Sequence, residues 1–331
     1  MSRDNTDITS IPLSNELQNA GIQLRRGVSA RDLTTMRVGG AIRELYLVPS
    51  VEALHTLLKH QSLVDTESPF LQALGAGSNS LFPDEEFVSP LVRLMGDFKS
   101  FSETEDGGRF RVGSAVGLMR FARVASEAGY AGLEFAGGIP ATFGGAIRMN
   151  AGAHGGELGD LIESVRVILP DAEVHTFSRH QLEFHYRSCS LPAESIILDA
   201  VIKLAKSDRV RVQERLVKNL EYRKKTQPLS LPSFGSTFRN PLRSTEDDSG
   251  GQSAGELVEL AGLKGERYGG AEISALHANW IVNPSRTATA KDIRSLMVQI
   301  QREVRERSGV DLEPEVIDWA ARDVVPHGIR E

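Results

Sequence analysis

One cysteine, Cys189, in 331 residues leaves no partner for an internal disulfide and no thiolate set for a structural metal. Nor is there an excess of positive charge. Lys and Arg number 38 against 44 Asp and Glu, a net charge of −6 that supplies no polybasic surface for nucleic acid or an anionic membrane. No apolar run approaches the ~18 residues that could span a bilayer. The opening MSRDNTDITS carries acidic residues where a secretory signal needs an apolar segment, so the expected location is cytoplasmic. No repeat of solenoid length appears. A chain this long exceeds the usual single core, so two or three domains are expected.

Glycine is what the sequence has in quantity and in an unusual place. FAGGIPATFGGAIRMNAGAHGGELG, from Phe135 to Gly159, carries Gly137, Gly138, Gly144, Gly145, Gly152, Gly155 and Gly156, with Phe135, Ile139, Phe143, Ile147 and Met149 between them. A flexible linker is polar throughout, whereas these apolar residues imply packing against a core. Glycine tolerates positive φ and lets a ligand approach the main chain, so the loop is expected to present backbone N–H groups to an anion such as a pyrophosphate. A shorter loop of the same kind, LGAGSNS, spans Leu74 to Ser80. Ser80 takes the place of the third glycine of a dinucleotide fingerprint and Pro83 follows, which argues against a Rossmann domain.

The remaining text alternates short apolar runs with amphipathic segments. Strands are expected at Arg43–Val48, Phe70–Leu74, Phe87–Leu94, Arg109–Val112, Ile196–Ala205 and Leu312–Trp319, with a hairpin of Ser164–Leu169 and Glu173–Phe177 around Pro170-Asp171. One helix follows Pro49-Ser50 with Leu54, Leu57 and Leu58 on one face, and another runs from Gly117 to Gly129. The charged segment Asp208–Lys225 is an amphipathic helix, AGELVELAG is a helix closed by Gly262, and Thr289 with Asp292 opens a final helix striped by Ile293, Leu296, Met297, Ile300 and Val304. STEDDSGGQ is an acidic surface loop.

Four further blocks embed polar residues in apolar or glycine-rich text: TTMRVGG (Thr34–Gly40), HYRSCS (His185–Ser190), SFGSTFRNP (Ser233–Pro241) and LEPEVIDW (Leu312–Trp319). Singly, each admits a structural explanation: Arg187 as a satisfied arginine, Ser236 as a turn hydroxyl, Glu315 as a surface carboxylate. As an ordered set with the two glycine loops, they resemble the UDP-N-acetylenolpyruvoylglucosamine reductase family from about Leu33 to Trp319. The matching patterns are TT-x-R-x-GG at Thr34–Gly40, LG-x-GSN at Leu74–Asn79, and G-IP-x-x-x-GG-x-x-x-MNAGA-x-G at Gly138–Gly155. R-x-x-x-QP at Arg223–Pro228, GS-x-F-x-NP at Gly235–Pro241, the block Ala254–Ser274 and H-x-N at His277–Asn279 complete the match. Four departures stand out. Cys189 takes the serine's place in HYR-x-S, Ala141-Thr142-Phe143 stands where Gly-Ser-Val is usual, His154 stands where tyrosine is common, and Ile317–Trp319 differs from the usual Arg-containing ending after the glutamate.

The resemblance implies an α+β fold: a two-lobed FAD-binding module of the vanillyl-alcohol-oxidase/p-cresol-methylhydroxylase (PCMH) type plus a C-terminal α+β substrate-binding domain. The expected boundaries are an arm at 1–32, the FAD module at 33–207 with lobes of about 33–90 and 91–207, the substrate domain at 208–320, and a tail at 321–331. It implies FAD and NADPH as cofactors and a UDP-sugar enolpyruvyl ether as substrate, reduced to UDP-N-acetylmuramate by a monomer. By motif position, Ser236 is the proton donor and Arg187 with Glu315 polarise the substrate carboxylate. Arg37, Gly39, Gly75, Ala76, Gly77, Ser78, Asn79, Gly138, Ile139, Gly144, Gly145, Asn150, Ala151 and Gly152 contact the cofactor, its pyrophosphate resting on N–H groups of 75–79 and 138–145. Arg223, Gln227, Lys264, Arg267 and Asn240 hold the UDP-sugar. Two other readings compete: an FAD oxidoreductase of the same fold acting on another substrate, and a flavin- or UDP-sugar-binding protein without catalysis.

Overall fold

A computed structural model of the chain describes residues 13–64, 71–105, 107–241 and 252–322, so the expectations for Phe70, for most of the acidic loop and for the end of the tail lie outside the described residues. Three layered units follow one another. In the first, a four-stranded sheet has the order Gln23–Ser29, Ala41–Val48, Leu91–Leu94, Gln72–Ala73. Its outer pair is antiparallel and the other pairings are parallel. Two short helices, α1 (Asn15–Asn19) and α2 (Ala30–Leu33), flank the first strand, and α3 (Val51–Val64) covers one face. Leu54, Leu57 and Leu58 of α3 are buried with Tyr46, Val48 and Val92, as their shared face requires.

The second unit is a five-stranded antiparallel sheet, ordered Val174–Ser178, Ile162–Ile168, Ile196–Lys203, Arg109–Gly113, Phe101–Glu103. α4 (Leu118–Glu127) and α5 (Phe143–Arg148) pack on it through Leu118, Phe121, Ala122, Ala125, Phe143 and Ile147. α6 (Arg209–Thr226) starts on an Asp208 cap that accepts from Val210 N and Arg211 N. In the third unit, α7 (Ala254–Leu260) and α8 (Ala290–Ser308) cover a three-stranded sheet of Arg267–Tyr268, Ala271–Ile273 and Ile281–Val282. α8 has the Thr289/Asp292 capping box, buries the expected apolar stripe and ends on Gly309 at φ +72°.

Elements near the expected boundaries pack as follows. Residues 23–32, assigned to an arm, form the edge strand and α2: Gln23–Ser29 pairs along its length with Ala41–Leu47, its alternate residues Leu24, Arg26 and Val28 being the more covered ones, with Arg26 paired to Glu44. Leu91–Leu94, just past the expected lobe division at about residue 90, is interior to the first sheet. α6 was expected to open the substrate domain, yet it docks on the second unit: Leu216 packs on its core, Arg215 pairs with Glu134, and Asn219 donates to the Glu134 carbonyl. Two expected strands are cut short by prolines that lack a ladder donor. Phe87–Leu94 pairs only from Leu91 onward, apart from an isolated bridge at Phe87, and Leu312–Trp319 pairs regularly only at Ile317–Asp318.

That last pairing returns the C-terminus to the first unit, where Ile317–Asp318 runs parallel to Ser80–Leu81. Trp319 is 3% exposed there, stacked 4.8 Å from Phe82 and edge-on to Phe87 at 5.7 Å. Trp319→Ala is expected to cost about 3–5 kcal/mol of stability, the usual range for a deleted core aromatic. Urea unfolding checks this, and a loss below about 1 kcal/mol would mean that the ring does not anchor the returning chain.

Candidate active site

The three units meet around one cleft of about 2710 Å³. Its first wall is the loop after Gln72–Ala73. Gly77 sits at φ +64°, and a Cβ there would lie 2.2 Å from the Leu33 carbonyl oxygen; one on Gly75 would lie 2.6 Å from Thr142 Oγ1. The backbone N–H groups of Gly75, Ala76, Gly77 and Ser78 have no acceptor among the described residues and line the cleft, a cradle of donors suited to a diphosphate. The facing loop differs from expectation. Gly138, Ile139, Gly144, Gly145, Ala151 and Gly152 line the cleft, but the N–H groups of Ile139, Phe143 and Gly144 are already spent on Ala136, Val116 and Ser114 carbonyls. Gly145 N–H goes to Thr142 Oγ1 in the α5 cap. This wall supplies shape and close approach, and the donors come from the 75–78 turn. Phe143 is fully buried against Phe121, so that departure from the family pattern adds to the core rather than to the cleft.

Arg187 is at the tip of a two-residue hairpin between Phe184–His185 and Ser188–Cys189, with φ +58°. A left-handed arginine costs about 1–2 kcal/mol in isolation, and its contacts hold it there. Nε donates to Glu315 Oε1 at 2.7 Å, Nη1 to the Gly152 carbonyl at 3.3 Å, and the guanidinium lies 4.9 Å from the Tyr186 ring centroid. Ser236 follows Gly235 (φ +84°) and faces the same cleft.

Main-chain bonds join the serine and glutamate segments. Glu315 N donates to Thr237 O at 2.8 Å and Arg239 N to Glu313 O at 2.9 Å, around an antiparallel bridge of Phe238 with Pro314. Asn279, from the H-x-N block, clamps the turn: its Oδ1 accepts from Phe238 N and its Nδ2 donates to Phe238 O. Asn79 reaches across from the first loop to donate to the Glu315 carbonyl at 3.0 Å. Burial pushes the Glu315 carboxyl above the usual carboxylate range, opposed by the charge and hydrogen bond of Arg187 and the charge of Arg239. Its Oε2 is buried without a hydrogen-bond partner among the described residues. A carboxyl that has one oxygen on a guanidinium and resists ionisation can both orient an anion and carry a proton.

Arg223, on the last turn of α6, lines the cleft with Gln227, whose Oε1 accepts from its Nε at 2.8 Å. Burial and then the charge of Arg187 lower its pKa, and its Nη1 is buried without a partner among the described residues.

Six residues expected in the site do not line the cleft. Arg37 turns back to the carbonyls of Arg31 and Asp32, and Gly39 gives room to Phe82 and Ala30. Their block is instead a fastener to the third unit, through Thr35 Oγ1 to Ser233 O and Asn283 Nδ2 to Met36 O. Asn150 is 1% exposed and bridges Gly159 N and His185 O, which holds the arginine hairpin from behind. Lys264 pairs with Glu259 and Arg267 with Glu272, while Asn240 Oδ1 accepts from Ala254 N at the start of α7. In the other direction, Arg239, Tyr222, His277, Trp280 and Trp319 line the cleft unannounced. Arg239, His277 and Trp319 stood inside quoted motifs without a role assigned to them, and Tyr222 and Trp280 stood in none. Among the described residues no helix is long and apolar enough to cross a membrane, and no cluster of three His, Cys, Asp or Glu could hold a metal.

Residues 65–178 match the description "FAD binding domain", and 227–319 match "UDP-N-acetylenolpyruvoylglucosamine reductase, C-terminal domain", which begins where α6 ends. The chain is 39% identical to UDP-N-acetylenolpyruvoylglucosamine reductase of Myxococcus xanthus over 300 residues, 89% of this chain and 92% of the relative. It is 36% identical to the Bacillus subtilis protein of that name, over 86% and 89% of the two chains. The crystal structure of UDP-N-acetylenolpyruvylglucosamine reductase from Thermus caldophilus superposes with a TM-score of 0.74 at 36% identity, covering 90% of this chain and 99% of that one. With a glycine cradle that fits a flavin diphosphate and these likenesses along its whole length, the chain belongs to the UDP-N-acetylenolpyruvoylglucosamine reductase family and is an FAD-dependent oxidoreductase.

Proposed function

We propose that the chain reduces the enolpyruvyl ether of UDP-N-acetylglucosamine to UDP-N-acetylmuramate, with NADPH as reductant. The observation that carries this reading is the main-chain stitching of the Ser236 turn to Glu315, itself ion-paired to Arg187, on the wall of a cleft with a glycine cradle. Bound FAD would supply the hydride chemistry. The residues do the rest. Arg187 grips the substrate carboxylate, and its fixed charge opposes the enolate that builds up when hydride reaches the methylene carbon, an interaction stronger in the transition state than in the ground state. Ser236 Oγ gives the proton to the adjacent carbon, so one hydride and one proton saturate the double bond. Glu315 fixes the plane of Arg187 and, with a raised pKa, can hand a proton onward.

Arg223 and Gln227 would face the substrate diphosphate, with Gly75–Ser78 under the flavin diphosphate. We place the division between FAD module and substrate domain at 226/227, and read a monomer acting in the cytoplasm, where nucleotide sugars and NADPH are available. The test is a pair of anaerobic half-reactions on purified holoprotein. NADPH is expected to bleach the yellow flavin, and the enolpyruvyl UDP-sugar to restore the colour while simple alcohols and sugars leave it untouched. Recovery with another substrate class, or no bleaching at all, would sink the reading.

A further inference from the structure

Two complementary atoms near the stitched turn lack partners. Arg239 Nε is buried with no acceptor among the described residues, and Glu315 Oε2 is buried with no donor. A buried N–H of a charged group left unsatisfied carries a large desolvation cost, so such an atom calls for a partner that the bare chain does not hold. The position of Arg239 is not accidental slack. Its main chain is tied to Glu313 O at 2.9 Å, and the side chains along the segment alternate: Phe238 enters the core, Asn240 caps α7 and Arg239 faces the cleft three residues after Ser236.

The charge balance at this end of the cleft points the same way. Arg187, Arg223 and Arg239 all line it. Of the carboxylates on the neighbouring wall, Asp318 is held by Arg294, Glu259 by Lys264 and Glu256 by the cap of α7, and Glu315 pairs with Arg187. Of these three, Arg223 and Arg239 have no ion pair among the described residues and, unlike the other cations lining the cleft, each has a buried unpartnered nitrogen; the two sit at different places. Arg223 lies on the last turn of α6 beside Gln227, and Arg239 on the extended segment bridged to Glu313–Glu315. The fork of a guanidinium matches a planar carboxylate.

We propose that Arg239 is a substrate-binding residue that completes, with Arg187, a two-arginine receptor for the carboxylate of the substrate. The carboxylate accepts from Arg239 Nε on one oxygen, which satisfies the buried donor, while Glu315 remains the hydrogen-bonded partner of Arg187. This rests on the substrate class proposed above, and it adds a second cation whose contribution depends on the acid group rather than on the nucleotide.

The experiment compares two ligands on flavin-loaded protein: the enolpyruvyl UDP-sugar and UDP-N-acetylglucosamine, which shares the nucleotide and sugar but lacks the carboxylate. Arg239→Gln is expected to weaken binding of the first by about 10- to 100-fold, the size of a lost charge-assisted hydrogen bond, and to leave the second within about twofold. Arg239→Lys, which keeps the charge without the fork, is expected to recover part of that selective loss. An equal weakening of both ligands, parental affinity of Arg239→Gln for the carboxylate-bearing ligand, or loss of flavin from Arg239→Gln would each overturn the assignment. If the parent protein itself binds the two ligands alike and is not reoxidised by the enolpyruvyl compound, the substrate reading fails instead.

Discussion

Gly77→Val is expected to yield purified protein that is folded but colourless. The residue lies at φ +64°, a conformation in which a β-branched side chain is strained by about 1–2 kcal/mol. The added carbon also has nowhere to go. A Cβ would lie 2.2 Å from the Leu33 carbonyl oxygen and 2.9 Å from Thr34 Cα, both backbone atoms that cannot rotate away. The same backbone is pinned by Thr35 N donating to Gly77 O at 3.2 Å, and Thr35 Oγ1 is in turn bonded to Ser233 O. Relief must come from the turn itself, which carries the free N–H groups of 75–78. Together, strain and overpacking of about 2–5 kcal/mol should weaken FAD binding by roughly one and a half to three and a half orders of magnitude. Flavin absorbance per mole of protein measures this, with circular dichroism to show that the fold persists. Full flavin content would place the diphosphate elsewhere in the cleft.

The glycine loops were legible in the sequence because glycine reports on backbone geometry, which is local. What each glycine makes room for is not local. Gly77 and Gly39 read alike as members of glycine pairs, yet one bends a cleft-lining turn while the other admits Phe82 and Ala30. Helices α4 and α8 were legible from period and caps, since a 3.6-residue stripe and a Thr-x-x-Asp box are set by neighbours in sequence. Helix α6 was read correctly as a helix, and its docking on the second unit was not legible. Its mean composition is polar, and the contacts that fix it, Arg215 with Glu134 and Asn219 with the Glu134 carbonyl, are made to residues some eighty positions earlier.

The site shows the same division. Arg187, Ser236 and Glu315 were reached through short motifs and are brought to one cleft by long-range pairings: 187 with 315, 237 with 315, and 79 with 315. Lys264 and Arg267 were expected to hold the UDP-sugar, and each is paired with a carboxylate on its own unit. Which of two adjacent residues, Arg239 or Asn240, faces the cleft depends on strand register against Glu313–Glu315. A single residue of register reverses the answer.

Ser236→Ala should separate the two halves of the reaction. The turn does not depend on the hydroxyl. Gly235 provides the positive φ, Thr237 N donates to Asn279 O at 2.8 Å, and the Asn279 side chain holds both polar groups of Phe238, so alanine fits the same backbone. Bleaching of the flavin by NADPH should therefore run at the parental rate, because no proton from Ser236 enters that step. Reoxidation by the enolpyruvyl UDP-sugar should fall by roughly two to four orders of magnitude, the usual contribution of a positioned general acid. Glu315 keeps its Oε1 on Arg187 Nε at 2.7 Å in this variant, so the loss is expected to persist. Ser236→Cys, which restores a transferable proton on a larger atom, should recover part of the loss. Stopped-flow absorbance on both half-reactions reads the outcome. Parental reoxidation by Ser236→Ala, or loss of flavin from it, would make the hydroxyl a structural group and require another acid for the second half-reaction.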